Sequence, residues 1–368
     1  MASAVHSPLL GPLGGLSSIV LSPFFSGPLL VGATYYPETL RNAAASVLER
    51  LPEQLGALLS RVTPDDYSTA MTVLKVAVAL GVIGKVNSTL STMAHNSWRL
   101  GPAKGWDWPK EIAVVTGGAS GIGKDTTLKL AALGVRVAVL DIQDLPKDMQ
   151  GNASIRFYHC DVTSTESVAA AADAIRSDFG NPSILVNNAG VAQPKPILKT
   201  DPAFLRTIFG VNLISMWFTT QQFLPSMIEQ NKGHVVTVAS IASFVALATA
   251  ADYSATKAGA LAFHETLASE LKHHYKAPDV LTTVVHPNFV RTPLIQDLAA
   301  RLEKGGVRLL TSGEVADVIV DQIKSRRGAQ RVIQSSATIL AGLRAWPSWL
   351  QEFVRDIVGK GTAPRRRR

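Results

Sequence analysis

Tyr253 and Lys257 stand four residues apart. On a helix, positions i and i+4 share a face. An ammonium beside a phenol favours the phenolate and lowers its pKa, so the pair could exchange a proton with an alcohol or ketone near neutral pH. Thirteen residues upstream of Tyr253, Ser240 closes the apolar run Val235–Ala239, where its hydroxyl could donate a hydrogen bond to a substrate oxygen. Tyr-x-x-x-Lys alone is common by chance. The serine at this offset, together with a glycine-rich string far upstream, makes chance remote.

That string is Thr116-Gly117-Gly118-Ala119-Ser120-Gly121-Ile122-Gly123, entered from the apolar run Ile112–Thr116 and followed by a helical stretch. In this setting Gly117 allows a tight turn, Gly121 lets a pyrophosphate approach the backbone, and Gly123 lets the helix pack close to the sheet. The helix N-terminus offers free N–H groups to phosphate. A second strand ends at Asp141, eighteen residues after Gly123. A carboxylate there accepts both hydroxyls of an adenosine ribose and repels a 2′-phosphate. Neither Ser120 nor Ile142 supplies a compensating cation, and Lys124 points along the helix, so NAD is expected over NADP.

Chemistry of this kind needs a rigid frame. Apolar runs at Ile112–Thr116, Val135–Leu140, Ile155–His159, Ile184–Asn187, Val235–Ala239, Leu281–His286 and Arg331–Gln334 alternate with stretches long enough for crossover helices. Strands apolar throughout are buried on both faces. The alternation predicts an α/β fold, a Rossmann-type doubly wound parallel sheet of about seven strands. It occupies residues 108–335, with helical extensions before and after.

The extensions read differently. Residues 1–37 form an apolar, Pro/Gly-rich N-terminus with no charge from Ser7 to Pro37. Its prolines and glycines suit neither an unbroken membrane span nor a packed core, leaving a segment without fixed structure or a shallow membrane insert. Residues 38–107 form a second extension. Glu38–Arg61 has a helical leucine stripe, and Ala70–Val86 is apolar with only Lys75 and Lys85 charged. Its uncharged part is short for a span, which leaves a helix lying in a membrane surface or one packed on the main domain. In residues 336–368, Ile339, Leu343, Trp346, Leu350, Phe353 and Ile357 recur at helical steps before Arg365–Arg368. Tryptophans beside basic residues fit a helix on an anionic membrane. A helix packed at a dimer interface or over the substrate mouth fits equally.

On these motifs, residues from about 110 to 335 resemble the short-chain dehydrogenase/reductase family. The resemblance implies further roles. Asn188, Ala189 and Gly190, in Asn187-Asn188-Ala189-Gly190, would lie beside the cofactor. Asp161 and Val162 would contact the adenine. Asn212, in Val211-Asn212-Leu213, would be the fourth catalytic residue, holding a water that links Lys257 to solvent. In Pro287-Asn288-Phe289-Val290-Arg291-Thr292, Pro287, Val290 and Thr292 would border the nicotinamide, and Lys257 would bind its ribose beside Tyr253. Asn288 stands where the family usually has glycine. Asn tolerates positive φ, so the turn should survive. The apolar ends, Asn96-Ser97-Trp98 and Trp106-Asp107-Trp108 resemble the membrane-associated 17-beta-hydroxysteroid and retinol dehydrogenase branch. That branch implies a steroid, retinoid or long-chain alcohol as a lipophilic substrate. It also implies association with endoplasmic reticulum or lipid droplets, the catalytic domain facing the cytosol. Family members usually pair through long helices, here around 201–230 and 251–275, which admits a homodimer.

Composition excludes other classes. With 46% hydrophobic and 17% charged residues, the 368-residue chain is not disordered. The formal charge of +8 is concentrated in residues 321–368, which hold eleven Lys/Arg against three Asp/Glu. No recognition helix or zinc finger accompanies it, so no nucleic-acid partner is expected. One cysteine, Cys160, excludes a disulfide framework. His234, His264, His273, His274 and His286 lack metal spacing, so no metal is expected. Two other functions remain open: a catalytically idle NAD-binding scaffold or sensor at a membrane, against which the intact Asn212, Ser240, Tyr253, Lys257 set argues, and an NADPH-dependent carbonyl reductase, which Asp141 disfavours.

Overall fold

The computed structural model describes residues 22–39 and 64–362. The expected stripe over Glu38–Arg61, apart from its first two residues, and the arginine run Arg365–Arg368 lie outside the described residues. The chain separates into two compact units, residues 1–92 and 93–368.

In the first unit, helix α1 runs over Pro23–Tyr35, within the segment expected either to lack fixed structure or to insert shallowly in a membrane. Pro23 stands at the start, where a missing N–H costs nothing. Pro28 lies inside and forgoes one backbone bond. Helix α2 (Pro64–His95, 32 residues) begins in the first unit and ends in the second. It outruns the apolar stretch expected from sequence because Asn87–His95 continue the same helix. Within it, Met71–His95 is the one helix, among the described residues, long and apolar enough to cross a membrane. Its 25 residues rise about 37 Å, against about 30 Å of bilayer hydrocarbon. Val73, Val76, Leu80, Ile83 and Val86 on it are exposed.

Directly after α2, Asn96 is buried and its Nδ2 donates to the carbonyls of Arg99 and Gly101, both at 2.9 Å. Ser97 and Trp98 take left-handed backbone conformations, which ends the helix. The seven strands follow: β1 Ile112–Thr116, β2 Arg136–Asp141, β3 Ile155–His159, β4 Ile184–Asn187, β5 Gly233–Val238, β6 Val280–Pro287 and, after a short β7 (Val290–Arg291) and β8 (Leu310–Thr311), β9 Ala329–Ile333. Their order is β3-β2-β1-β4-β5-β6-β9, all neighbours parallel. The sheet is the one expected. β5 and β9 start two residues earlier than the hydrophobic runs suggest, and the two-residue β7–β8 pair carries no periodic signal.

Alternation along the strands divides the core. Val115, Val137, Val139 and Val236 face α3 (Gly121–Ala132) and α9 (Ser312–Ser325). Val114, Ala138, Leu185 and Val235 face α4 (Thr165–Asp178), α6 (Ser215–Glu229) and α7 (Ala251–His273). Between α4 and α6 lies α5 (Pro202–Phe209). α8 (Gln296–Lys304) follows β7. The C-terminal pattern, expected as one amphipathic stripe, divides into a 3-10 stretch Ser335–Ala345 and helix α10 (Ser348–Thr362). Pro347 lies between them and cannot continue the first stretch. Ala337 and Leu343 pack on Ile241, Phe244 and Val245. Trp349, Phe353 and Ile357 form the exposed face of α10.

Candidate active site

Strand order reverses between β1 and β4. At such a switch point a crevice opens beyond the carboxyl ends of the strands. Here it is a cavity of about 650 Å³ that holds Gly117, Asp141, Asn188, Ser240, Tyr253 and Lys257 together.

The first wall is the glycine loop. Gly117 and Gly121 have φ of +62° and +52°, a region side chains rarely occupy. A Cβ on Gly123 would lie 2.1 Å from the Gly117 carbonyl oxygen. The loop closes against β4 by a dense set of bonds: Asn188 Nδ2 donates to the carbonyls of Thr116 and Gly117, and Thr116 Oγ1 accepts from the N–H groups of Asn188 and Ala189, all at 3.0 Å. This cradle of glycines and exposed helix start fits a pyrophosphate. Ser120, Gly121 and Ile122 also line the cavity. Asp141, buried at the end of β2, accepts from the N–H groups of Ala119 and Gln143, both at 3.0 Å. Lys124 is engaged with Asp148 at 2.5 Å. Asp161 and Val162 border the same end.

The catalytic candidates meet at the middle. Ser240 follows β5 and caps the short turn Ile241–Ser243, its Oγ accepting from Ala242 N–H at 3.2 Å. One lone pair is so used; the hydroxyl also lies 3.5 Å from Pro287 O and hydrogen-bonds Tyr253. Tyr253 and Lys257 occupy the first turns of α7. Lys257 is buried, lies over the Tyr253 ring at 5.7 Å from its centroid and donates to Val238 O at 2.8 Å. Burial pulls the Lys257 ammonium down to about 8. The expected lowering of the phenol pKa is not the dominant effect here. Burial pushes Tyr253 up, and its hydrogen bond with Ser240 works the other way.

Asn212 is fully buried in a π-turn, Gly210–Ile214, a distortion frequent at functional sites. Its Oδ1 accepts from Val191 N–H at 2.8 Å, and its Nδ2 donates to Val191 O at 2.9 Å and to Thr256 Oγ1 at 3.3 Å. The amide is therefore spent on clamping the strand-four loop. A Cβ on Gly190 would sit 3.6 Å from Asn212 Oδ1 and 3.8 Å from Lys257 Nζ, so the glycine leaves room between them.

Pro287, Val290 and Thr292 border the cavity, and Thr292 faces Gly121. Asn288 does not adopt the positive φ expected of it. Its Nδ2 donates to Gln334 Oε1 at 2.9 Å, and Gln334 carries the left-handed conformation, with φ +82°. Arg291 is exposed and paired with Glu303. Beyond Tyr253 the walls turn apolar at Val191, Pro194, Leu247, Phe289, Leu294 and Ile295. Sequence reasoning missed the part played by Thr116, which depends on strand register.

A profile of the short chain dehydrogenase family matches residues 111–303. The chain belongs to the short-chain dehydrogenase family. Dehydrogenase RED2 of Cochliobolus heterostrophus is 39% identical over 230 residues, 62% of this chain and 85% of that protein. Estradiol 17-beta-dehydrogenase 11 of Homo sapiens is 33% identical over 198 residues, 52% of this chain and 66% of that one. Short-chain dehydrogenase/reductase family 16C member 6 of Bos taurus is 34% identical over 212 residues, 55% of this chain and 66% of that one. Among solved structures, 3-ketoacyl-(acyl-carrier-protein) reductase from Brucella melitensis, complexed with NADH, superposes with a TM-score of 0.56 at 24% identity, covering 62% of this chain and 98% of that one. This short-chain dehydrogenase is thus an oxidoreductase acting on CH–OH groups, of the branch that contains the 17-beta-hydroxysteroid dehydrogenases.

Proposed function

We propose that the protein is an NAD-dependent oxidoreductase that interconverts a lipophilic alcohol (a steroid, retinoid or long-chain alcohol) with its ketone or aldehyde. The observation that carries this reading is that Ser240, Tyr253 and Lys257 stand in one cavity, between a glycine cradle and an apolar end without a charged side chain among the six residues named there. The NAD reading is supported by glycines whose Cβ would collide with backbone and by a buried carboxylate, Asp141, at the end of β2.

When bound, NAD supplies a hydride acceptor at its nicotinamide. The chain supplies the rest. Ser240 donates its hydroxyl proton to the substrate oxygen, polarised by the Ala242 N–H at its own oxygen. The Tyr253 phenolate takes the alcohol proton as the carbon is oxidised, and the phenol returns it in the reverse direction. Lys257 would bind the nicotinamide ribose and pass protons through water toward the turn at Asn212. Thr292, Val290 and Pro287 would border the nicotinamide, Asn188, Ala189 and Gly190 would lie beside the cofactor, and Asp161 and Val162 would contact the adenine.

We place the protein on endoplasmic reticulum or lipid-droplet membranes, the catalytic unit in the cytosol, with the apolar helix Met71–His95 as the inserted element. A homodimer paired through α6 and α7 fits the half-exposed Trp217 on α6.

Tyr253→Phe tests the reading. With NAD and a panel of estradiol, retinol and dodecanol, turnover should fall by a factor of about 10² or more, while NAD affinity stays within about twofold of the parent, since general acid–base catalysis and not binding is removed. Turnover near normal in that variant overturns the assignment.

A further inference from the structure

We propose that His286 is a positioning residue for the reaction: pinned from behind by Gln330, its imidazole holds the backbone of Ser240 so that the serine hydroxyl meets the substrate oxygen. The inference rests on the role given to Ser240 above.

The argument begins at the end of the sheet. β5 and β6 are paired as far as Val238 and Val285, and Ala239 N–H still donates to Val285 O at 2.9 Å. Ser240 is the first residue past the ladder, where no backbone ladder bond fixes it. His286 fills that gap. Its Nδ1 lies 3.1 Å from Ser240 O, which also accepts from Ser243 N–H at 3.0 Å. Both lone pairs of the serine carbonyl are thereby engaged.

A carbonyl can only accept, so the Nδ1 must carry the ring proton. In a neutral imidazole the Nε2 is then bare and accepts. The Gln330 amide stands there, its Nε2 3.3 Å from the ring nitrogen. The ring is also packed against Phe244, centroids 4.6 Å apart, and Arg344 Nε donates to Phe244 O at 3.3 Å. Tautomer, ring plane and backing are all determined.

The contrast with neighbouring histidines supports a dedicated role. His234 and His264 are equally buried, but each has an Nδ1 without a hydrogen-bond partner, whereas both nitrogens of His286 are used. Burying an imidazole in a strand costs more than burying a valine unless its nitrogens are satisfied. Here Nδ1 is satisfied by the residue that must be aimed and Nε2 by Gln330. Burial pulls His286 down to about 4, with Lys257 adding to this and the Ser240 bond opposing it. The ring therefore stays neutral and acts through its direction, not its charge.

The experiment uses the full-length chain with NAD and whichever of estradiol, retinol or dodecanol it oxidises fastest. His286→Phe keeps a ring against Phe244 and removes both nitrogens. It should lower kcat by about 10- to 100-fold, the range expected when a reacting group is displaced by an ångström or less. KM for NAD and for the alcohol should not change. His286→Asn puts an amide nitrogen near the place of Nδ1 and should recover most of the rate. Gln330→Met should fall between them. Nitrogen NMR of histidine-labelled protein, which needs no substrate, should show the His286 proton on Nδ1 and a bare Nε2. Ser240→Ala is measured in parallel. If it keeps the parental rate, the reading of Ser240 fails and the inference with it. If it collapses but His286→Phe keeps the parental kcat, or His286→Asn is as slow as His286→Phe, or the proton sits on Nε2, positioning is overturned while Ser240 stands. Should His286→Phe not fold, His286→Asn, Gln330→Met and the NMR tautomer decide.

Discussion

Each group of the site is shaped by one dominant local influence. For Tyr253 and Lys257 it is burial, which disfavours whichever form is charged: the phenol is pushed up and the ammonium pulled down to about 8. The sign of the pH dependence follows. Oxidation needs the phenolate, whose share grows with pH, so kcat/KM for the alcohol should rise from neutral into alkaline buffer. Reduction needs the protonated phenol and should hold at neutral pH and fall in alkaline buffer. Opposite slopes for the two directions, measured in matched buffers, check this; parallel slopes contradict it. Asp141 has a different task. Both of its oxygens are fixed by backbone N–H groups, so the carboxylate cannot swing away from a 2′-phosphate. Asp141→Ala should narrow the gap between KM for NAD and KM for NADP by at least about tenfold, the equivalent of about 1.4 kcal/mol, without abolishing turnover.

Among the elements, the junction into the sheet is the most demanding. Glu111 is buried immediately before β1, where its carboxylate meets Lys232 Nζ at 2.6 Å, Ser183 Oγ at 2.5 Å and Asp107 N–H at 3.0 Å. Lys232 also lies over the Trp106 ring, 5.2 Å from its centroid. Glu111→Ala leaves three donors without their acceptor, one of them charged but partly exposed. A loss of about 1–3 kcal/mol is expected, read as a lower urea midpoint with an unchanged slope. Sequence alone could not assign this glutamate: two of its three partners lie 72 and 121 residues away. The inner strands β1, β4, β5 and β6 were legible because both faces of each are buried, which leaves continuous apolar runs, whereas the edge strands β3 and β9 are only partly buried. The C-terminal stripe was legible as amphipathic, but its division at Pro347 and its packing on Phe244 depend on what lies opposite.

At the scale of the whole molecule, the apolar surface is unevenly distributed. The catalytic unit buries its inner strands β1, β4, β5 and β6 completely, whereas the long helix Pro64–His95 leaves Val73, Leu80 and Ile83 in the open. An exposed surface of that kind marks an interaction with lipid or protein. The full-length chain should float with liposomes in a density gradient. The double variant Leu80→Lys, Ile83→Lys should remain at the bottom, since a charge at the centre of an inserted helix costs about 2.5–3.5 kcal/mol. NAD binding should survive in that variant. Equal flotation of both proteins would exclude this helix as the inserted element.

Sequence by itself determined the dinucleotide loop, the carboxylate after β2, the Tyr-x-x-x-Lys pair with its serine, and the strand–helix alternation. Each depends on short-range constraints: a glycine where a Cβ would strike backbone, a four-residue helical step, a run of residues buried on both sides. Tertiary structure alone decided which residues support them. Thr116 grips Asn188 from 72 residues away, and His286 reaches Ser240 from 46. It also decided that Asn288 bonds Gln334 in place of adopting a left-handed turn. Such partners carry no local signature, because strand register and helix packing bring them together only when the sheet closes.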